Sequence, residues 1–245
     1  MTYTIGPDKE RYIPKATAPV AGKLLFLGGS YTFGHGVNDN ETYPYILSRY
    51  WRHWSITNKA VSAWGTVHAY MTLLDEVNSE NPPSVVIYSM ISHHIQRNYI
   101  RKEWVNNVAK HLDGGHPHFE LERDHLEFKG IVNASSNLVD PPDFKSRELA
   151  LTKKFLTEMK EICQKHHIPF VVVFLDYKRP IPSSIVKTML NHKIQILDLS
   201  SIKIKGFQND SHPNRDDHWH IANAIATSFI PEILEQQRIE SSQGL

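Results

Sequence analysis

Apolar residues along the chain fall into short closed runs, each followed by a segment in which they return every three or four positions. The first run, residues 23–27, stops at Gly28 and Gly29, and beyond it Tyr43, Ile46, Leu47 and Tyr50 share one helical face. Residues 55–61 predict a second strand, and after it Val67, Tyr70, Met71, Leu74 and Val77 stripe a helix. Such spacing gathers side chains on one side of a 3.6-residue helix, which becomes the buried side. Residues 85–91, VVIYSMI, are almost wholly apolar, as expected of a central parallel strand covered on both faces. Leu151, Phe155, Met159 and Ile162 form the next stripe, ending before Pro169; residues 170–175 then predict a buried strand and 194–199 a shorter, edge-like one. The last helix carries Ile221, Ala222, Ile225, Phe229 and Ile233, with Pro231 predicting a kink or break near its end.

Five strands alternating with helices predict an α/β fold: a flavodoxin-like, doubly wound, mainly parallel five-stranded sheet with helices on both faces. The rhythm breaks over about 101–148, where HFELERDHLEFKG alternates apolar and polar residues about an Arg123-Asp124 centre and predicts an inserted β-hairpin. Such an insertion either lines a substrate pocket or decorates the surface. The organisation read from this is an N-terminal extension (1–22), one domain (23–235) containing the insertion, and a C-terminal tail (236–245). At 245 residues the chain is long for one domain and short for two, against a prior of roughly 150 residues each.

Charge and composition narrow the partners. With 27 basic and 26 acidic residues the net charge is +1, which gives no electrostatic footprint for nucleic acid or an anionic membrane. Cys163 is the only cysteine, so no intrachain disulfide forms. No run approaches the roughly 20 apolar residues of a membrane span, and the N-terminus lacks the apolar core of a signal peptide. A cytoplasmic location is the expectation, or a periplasmic or membrane-anchored one if a segment precedes Met1. The 15 histidines raise a metal reading. Asp216, Asp217, His218 and His220 lie close together, but the cluster reads as a polar helix start with acids at the positive dipole end. His111, His116 and His118 are expected on a solvated loop. Arg97 is read as a surface ion pair or as a contact for a substrate carboxylate. No metal and no cofactor are expected.

Ser30 follows a buried strand at a glycine turn, where its hydroxyl projects from the sheet's carboxyl edge. Open α/β sheets keep their ligands at that edge, which suits a nucleophile, although a serine capping the next helix explains the same residue. Gly34-His35-Gly36 lacks the third glycine of a dinucleotide fingerprint, and no phosphate-loop motif is present. A serine hydroxyl needs an imidazole to take its proton, and the imidazole needs a carboxylate to fix its tautomer. Asp210 and His212, with one residue between them in NDSHPNRDDHWH, offer both groups.

In these segments the chain resembles the SGNH (GDSL-type) hydrolase family, with motifs spread over nearly its whole length. Gly28-Gly29-Ser30-Tyr31-Thr32-Phe33-Gly34 resembles the first block, Asn58 to Gly65 (NKAVSAWG) the second, and Asp210-Ser211-His212-Pro213-Asn214 the last. Three positions depart from the pattern. Gly29 replaces the aspartate before the serine; Asn209 occupies the place, three before the histidine, where the acid often sits; and His93-His94 stands where an Asn-Asp pair is usual. The resemblance implies a serine esterase that cleaves a carboxylic ester, of small-acyl or acetyl type, through an acyl-enzyme. In that reading Ser30 is the nucleophile, His212 the base and Asp210 its orienting acid. The N–H groups of Ser30 and Gly65, with the side chain of His93, form the oxyanion hole. Trp64, Tyr31 and His94 are candidate substrate-binding residues, and the substrate is a small-molecule or carbohydrate ester. Asp216-x-His218 repeats the acid-to-imidazole spacing, but the His-Pro-Asn pattern selects His212. Two alternatives stay open: acyl transfer to a sugar hydroxyl, and a catalytically weakened binding protein, suggested by the altered first and third blocks.

Overall fold

In the computed structural model, which describes residues 1–16, 20–107, 115–133, 139–176 and 178–243, the apolar runs become the strands of one sheet. The elements in chain order are β1 (Gly22–Gly28), α1 (Ser30–Phe33), α2 (Tyr43–Tyr50), β2 (Trp54–Asn58), α3 (Thr66–Val77), β3 (Val85–Met90), α4 (His93–Gln96) and α5 (Lys102–Asn107). There follow β4 (His116–Glu122), β5 (His125–Val132), α6 (Phe144–Lys165), β6 (Phe170–Phe174), α7 (Ser183–Asn191), β7 (Gln195–Asp198), α8 (Arg215–Ala226) and α9 (Ile230–Ser242). The large sheet has the order β2-β1-β3-β6-β7 with every neighbouring pair parallel. The chain winds outward in opposite directions from β1 to β2 and from β3 to β7. The carboxyl ends of β1 and β3 therefore flank the crevice where such sheets bind ligands.

Alternate residues of each central strand serve opposite faces. Leu24, Phe26, Ile87 and Val173 pack with Tyr43 and Leu47 of α2, Ile221 and Ile225 of α8, and Leu234 of α9. Leu25, Leu27, Tyr88 and Val172 pack with Leu73 of α3, Leu156 and Met159 of α6, and Met189 of α7. Both faces are covered, which is why the strands read as continuous apolar runs.

Several boundaries differ from the pattern. β2 stops at Asn58, short of residue 61, because the Asn58 side chain ends the strand: its amide donates to the Thr32 carbonyl at 2.8 Å and its oxygen accepts from the Ala60 N–H at 3.1 Å. The helix α7 has only Ile185 and Met189 buried, too thin a stripe to stand out in the sequence. Pro231 produces a break, lying in the first turn of the separate helix α9, where its missing N–H costs nothing. That helix continues to Ser242, so the segment expected as a tail is helical through that residue.

The first 16 residues are tied down by Arg11, which is 1% exposed. Its guanidinium pairs with Asp39 at 2.6 Å, donates to the Val37 carbonyl at 3.0 Å and lies over the rings of Tyr3 and Phe33.

The hairpin of β4 and β5 turns at Arg123 and Asp124, both with positive φ, as a two-residue hairpin connection requires. It packs against the body of the domain through Phe119, edge-on to Phe155 of α6 and to Tyr70 of α3. His116 and His118 belong to β4, contrary to the solvated loop expected for them; His116 points inward and is fully buried, and burial pushes its imidazole down to about 4. His111 lies outside the described residues. No described helix is long and apolar enough to cross a membrane.

Candidate active site

β1 delivers Ser30 to the crevice. Gly28 and Gly29 carry the chain out of the sheet and Ser30 opens α1, 4% exposed. That helix lasts one turn, closed by Gly34 in the left-handed region (φ 85°) with its N–H bonded to the Ser30 carbonyl at 3.0 Å. Gly29 has a steric role: a Cβ there would come within 2.5 Å of His94 Nε2 and 3.1 Å of the Trp64 carbonyl. Two departures from the family pattern thus fit each other, since the imidazole of His94 fills the space that a side chain at position 29 would need.

The loop before α8 brings the acid and the imidazole. Asp210 Oδ1 accepts from His212 Nδ1 at 2.5 Å and from the His212 backbone N–H at 3.0 Å. Burial works to raise the Asp210 carboxyl, but the hydrogen bonds from His212 outweigh it and hold the group below its ordinary value. With Nδ1–H given to the carboxylate, Nε2 is the basic nitrogen. Tyr31, next to Ser30 in the chain, anchors this loop by donating to the Ser211 carbonyl at 2.9 Å and sets its ring edge-on to His212 at 5.7 Å. His35 packs on the imidazole from another side, ring centres 4.6 Å apart, and burial followed by the neighbouring His212 lowers its own pKa.

The third block is built differently from the expectation of a simple donor. His93, the first residue of α4, is half-buried, and its Nε2 lies 2.6 Å from Arg179 Nη1. Arginine only donates, so His93 Nε2 accepts and its proton sits on Nδ1. Burial, then Arg97 and Arg179, keep this ring neutral by lowering its pKa. Asp176 works in the opposite direction without reversing the shift. His94 is fully buried, with Nδ1 against the Tyr88 hydroxyl at 2.8 Å. It is a wall beneath the glycine turn and has no surface to offer a substrate.

Gly65 caps α3, but its N–H donates to His68 Nδ1 at 3.2 Å. His68 in turn stacks on Trp64 at 5.1 Å, nearly parallel, and meets the ring of His116 edge-on at 4.6 Å. Burial keeps His68 neutral, well below its ordinary pKa. The hairpin therefore reaches the floor of the second block through His116. Arg97 makes no ion pair among the described residues; it donates to the Trp64 carbonyl at 2.8 Å and lies over the Trp104 ring. Burial lowers its pKa to about 10.

Three residues near the site escaped the sequence reading: His35, Asp176 and Arg179. Asp176 follows β6 at the same carboxyl edge and takes the Ser92 N–H and hydroxyl on Oδ2, while Oδ1 takes the N–H groups of Lys178 and Arg179. It ties the start of α4 to the segment carrying Arg179. Its signal was present, as the first polar residue after the FVVVFL run.

Asp217 and His218, at the start of α8, are engaged by neighbouring backbone. Asp217 accepts from the backbone N–H groups of Lys205, Gly206 and Asn214, and His218 Nδ1 accepts from the Tyr43 N–H at 3.2 Å. His218 is completely buried, which pushes its pKa down to about 3. Among the described residues, the one group of three or more side chains close enough to share a metal ion is His35, Asp210 and His212.

No family model matches the chain. No curated protein matches it in sequence. Solved structures do match in fold. The chain is similar to the psychrotrophic esterase EstA from Pseudoalteromonas sp. at 13% identity and a TM-score of 0.56, over 86% of this chain and 98% of that one. TesA is similar at 12% identity and a TM-score of 0.55, over 85% and 98%. A G-D-S-L family protein of Desulfitobacterium hafniense DCB-2 gives 15% identity and a TM-score of 0.51, over 83% and 97%. At such identities the likeness is one of fold: the chain has the α/β fold of GDSL-type (SGNH) hydrolases, over nearly the full length of those proteins.

Proposed function

We propose that this chain is a serine esterase whose nucleophile is Ser30, whose base is His212 and whose orienting acid is Asp210. The observation that carries the reading is the short His212–Asp210 pair, held by Tyr31 over the crevice into which β1 delivers Ser30. The Ser30 hydroxyl oxygen bonds to the carbonyl carbon of a small acyl ester as His212 Nε2 takes its proton. The tetrahedral intermediate collapses, and the departing alkoxide receives that proton from His212. Water then repeats the two steps on the acyl-serine, releasing the acid and free Ser30. Asp210 stays ionised throughout and stabilises the imidazolium.

The oxyanion is held by the N–H of Ser30, by His93 through Nδ1–H, and by Gly65. The Gly65 N–H is engaged with His68 in this structure, so its use requires that hydrogen bond to yield to the oxyanion, the stronger, charged acceptor. Trp64 and Tyr31 flank the acyl site. The ester is a small-molecule or carbohydrate one, and hydrolysis needs no cofactor.

The test is turnover of p-nitrophenyl acetate by wild type and Ser30→Ala. An initial burst of p-nitrophenol equal to the enzyme concentration, lost in the variant at unchanged melting temperature, supports the reading. Equal turnover by the two proteins overturns it, and no turnover by either favours a ligand-binding protein on the same fold.

A further inference from the structure

His35 has no part in the mechanism above, yet it is aimed at its centre. The residue sits in the Gly34-His35-Gly36 turn, with both glycines at positive φ, and its N–H is bonded to the Ser30 carbonyl at 3.0 Å. That turn is pressed against the loop carrying the acid and base: a Cβ on Gly36 would meet the Phe207 ring at 2.5 Å, and Phe207 exchanges backbone hydrogen bonds with Asp210 at 2.9 and 3.3 Å. Two separate segments are thereby locked side by side. One donor atom from each of His35, Asp210 and His212 lies within 4.8 Å of the other two.

Two imidazoles and one carboxylate form a borderline-soft donor set. It suits zinc, and by the same preference cobalt or nickel, and it does not suit magnesium or calcium, which take all-oxygen shells. Ligand bonds of about 2.0–2.2 Å place the donors of a tetrahedral ion about 3.4 Å apart. The widest separation therefore closes by about 1.4 Å at most, within reach of rotating the half-exposed Asp210 side chain. Three protein ligands leave a fourth position for water, as in open zinc sites.

We propose that His35, Asp210 and His212 form a binding site for a zinc-class divalent cation, and that occupancy switches hydrolysis off. The ion engages an imidazole nitrogen of His212 and the Asp210 carboxylate, so the imidazole no longer has both its basic Nε2 and its orienting partner. The binding half stands on donor geometry alone; the inhibitory half rests on the reading of His212 as the base.

The experiment uses the full chain freed of metal with EDTA and then dialysed. Zinc chloride is titrated calorimetrically, cobalt chloride by visible absorption, and magnesium chloride serves as the control, with p-nitrophenyl acetate turnover followed in parallel. One zinc per chain should bind, cobalt should give the intense d–d bands of a four- or five-coordinate site, and zinc should abolish turnover until EDTA restores it. Magnesium should do none of this. His35→Ala is compared with its own zinc-free turnover, since the His35 ring packs on that of His212. Its zinc affinity should fall by at least about tenfold, since even outer partners of metal ligands are worth that much, and it should lose the cobalt bands and the inhibition. His35→Gln, closer in size, repeats the test should the alanine variant fail to fold by circular dichroism. Wild type that binds no zinc, or a His35 variant that keeps wild-type affinity and bands, overturns the site. Zinc that binds through His35 without slowing turnover overturns the switch. If neither protein turns over ester, binding and the cobalt bands still decide the site, so its failure is separable from failure of the esterase reading.

Discussion

Asp210 and His212 stand two residues apart, and so do Asp216 and His218, yet only the first pair meets. The first lies in an irregular loop whose backbone turns the carboxylate back onto its neighbour's N–H and ring together. The second lies in the first turn of α8, where residues two apart point to nearly opposite sides of the helix. Asp216 is exposed, while His218 is driven into the core against Tyr43 and accepts from its backbone N–H. The same spacing gives a solvent-reached acid–base pair in one place and an inert packing imidazole in the other. Secondary structure, and not separation along the chain, decides which histidine meets its acid.

The comparison breaks most sharply under alanine substitution of the two histidines. His212→Ala should lower ester turnover by on the order of 10⁴ or more at nearly constant melting temperature. His218→Ala should leave turnover per folded molecule close to wild type while losing about 2–4 kcal/mol of stability, because it empties a core site and orphans the Tyr43 N–H. Inactivity in the His218 variant with activity retained in the His212 variant would reverse the assignment. The acids follow the same logic. Asp210→Asn, which keeps shape but no longer fixes the tautomer, should cost about 10³–10⁴ in turnover, and Asp216→Asn should change neither activity nor melting temperature measurably.

How much of this could be read before folding differs by level. The central strands β1, β3 and β6 are legible because burial on both faces leaves them mostly apolar, and the candidate residues Ser30, Asp210 and His212 stand out because their neighbours form dense local motifs. His35 and Arg179 were not legible as site residues, since their contacts cross segments distant in sequence. His116 departs from expectation for a related reason: the hairpin pattern shows that a strand exists but not that its first residue is buried against the ring of His68. The hydrogen bond from the Gly65 N–H to the His68 ring, which must yield if that N–H is to serve an oxyanion, is encoded by no motif.

A smaller effect is expected in the third block. His93→Ala should cost about 10²–10³ in turnover, the usual loss for one oxyanion donor, and His93→Asn should recover part of it through the amide N–H. Wild-type turnover in His93→Ala would remove the side chain from the oxyanion hole.

The buried imidazoles sharpen the comparison through pH. His218 and His116 have folded-state pKa values pushed down to about 3 and about 4 by burial, against an ordinary value near 6.5. As pH falls below about 6.5 the unfolded chain takes up their protons first. Stability therefore falls with pH by up to about 1.4 kcal/mol per unit for each such histidine, until the folded form titrates as well. Melting temperatures measured from pH 7 to 4.5 should drop steadily in wild type. They should drop less steeply in His218→Gln, which keeps an acceptor for the Tyr43 N–H but has nothing to titrate. Parallel slopes for the two proteins would mean that His218 is not held neutral by the core.

The central claim, that Ser30 is activated by His212 in its pair with Asp210, is tested most directly by covalent labelling with a fluorophosphonate, the modified peptide being located by tandem mass spectrometry. The account predicts one adduct per chain, on Ser30, formed rapidly in wild type and in His218→Ala, and suppressed in His212→Ala and Ser30→Ala. An unlabelled wild-type protein, an adduct on another residue, or undiminished labelling of Ser30 in His212→Ala would contradict it.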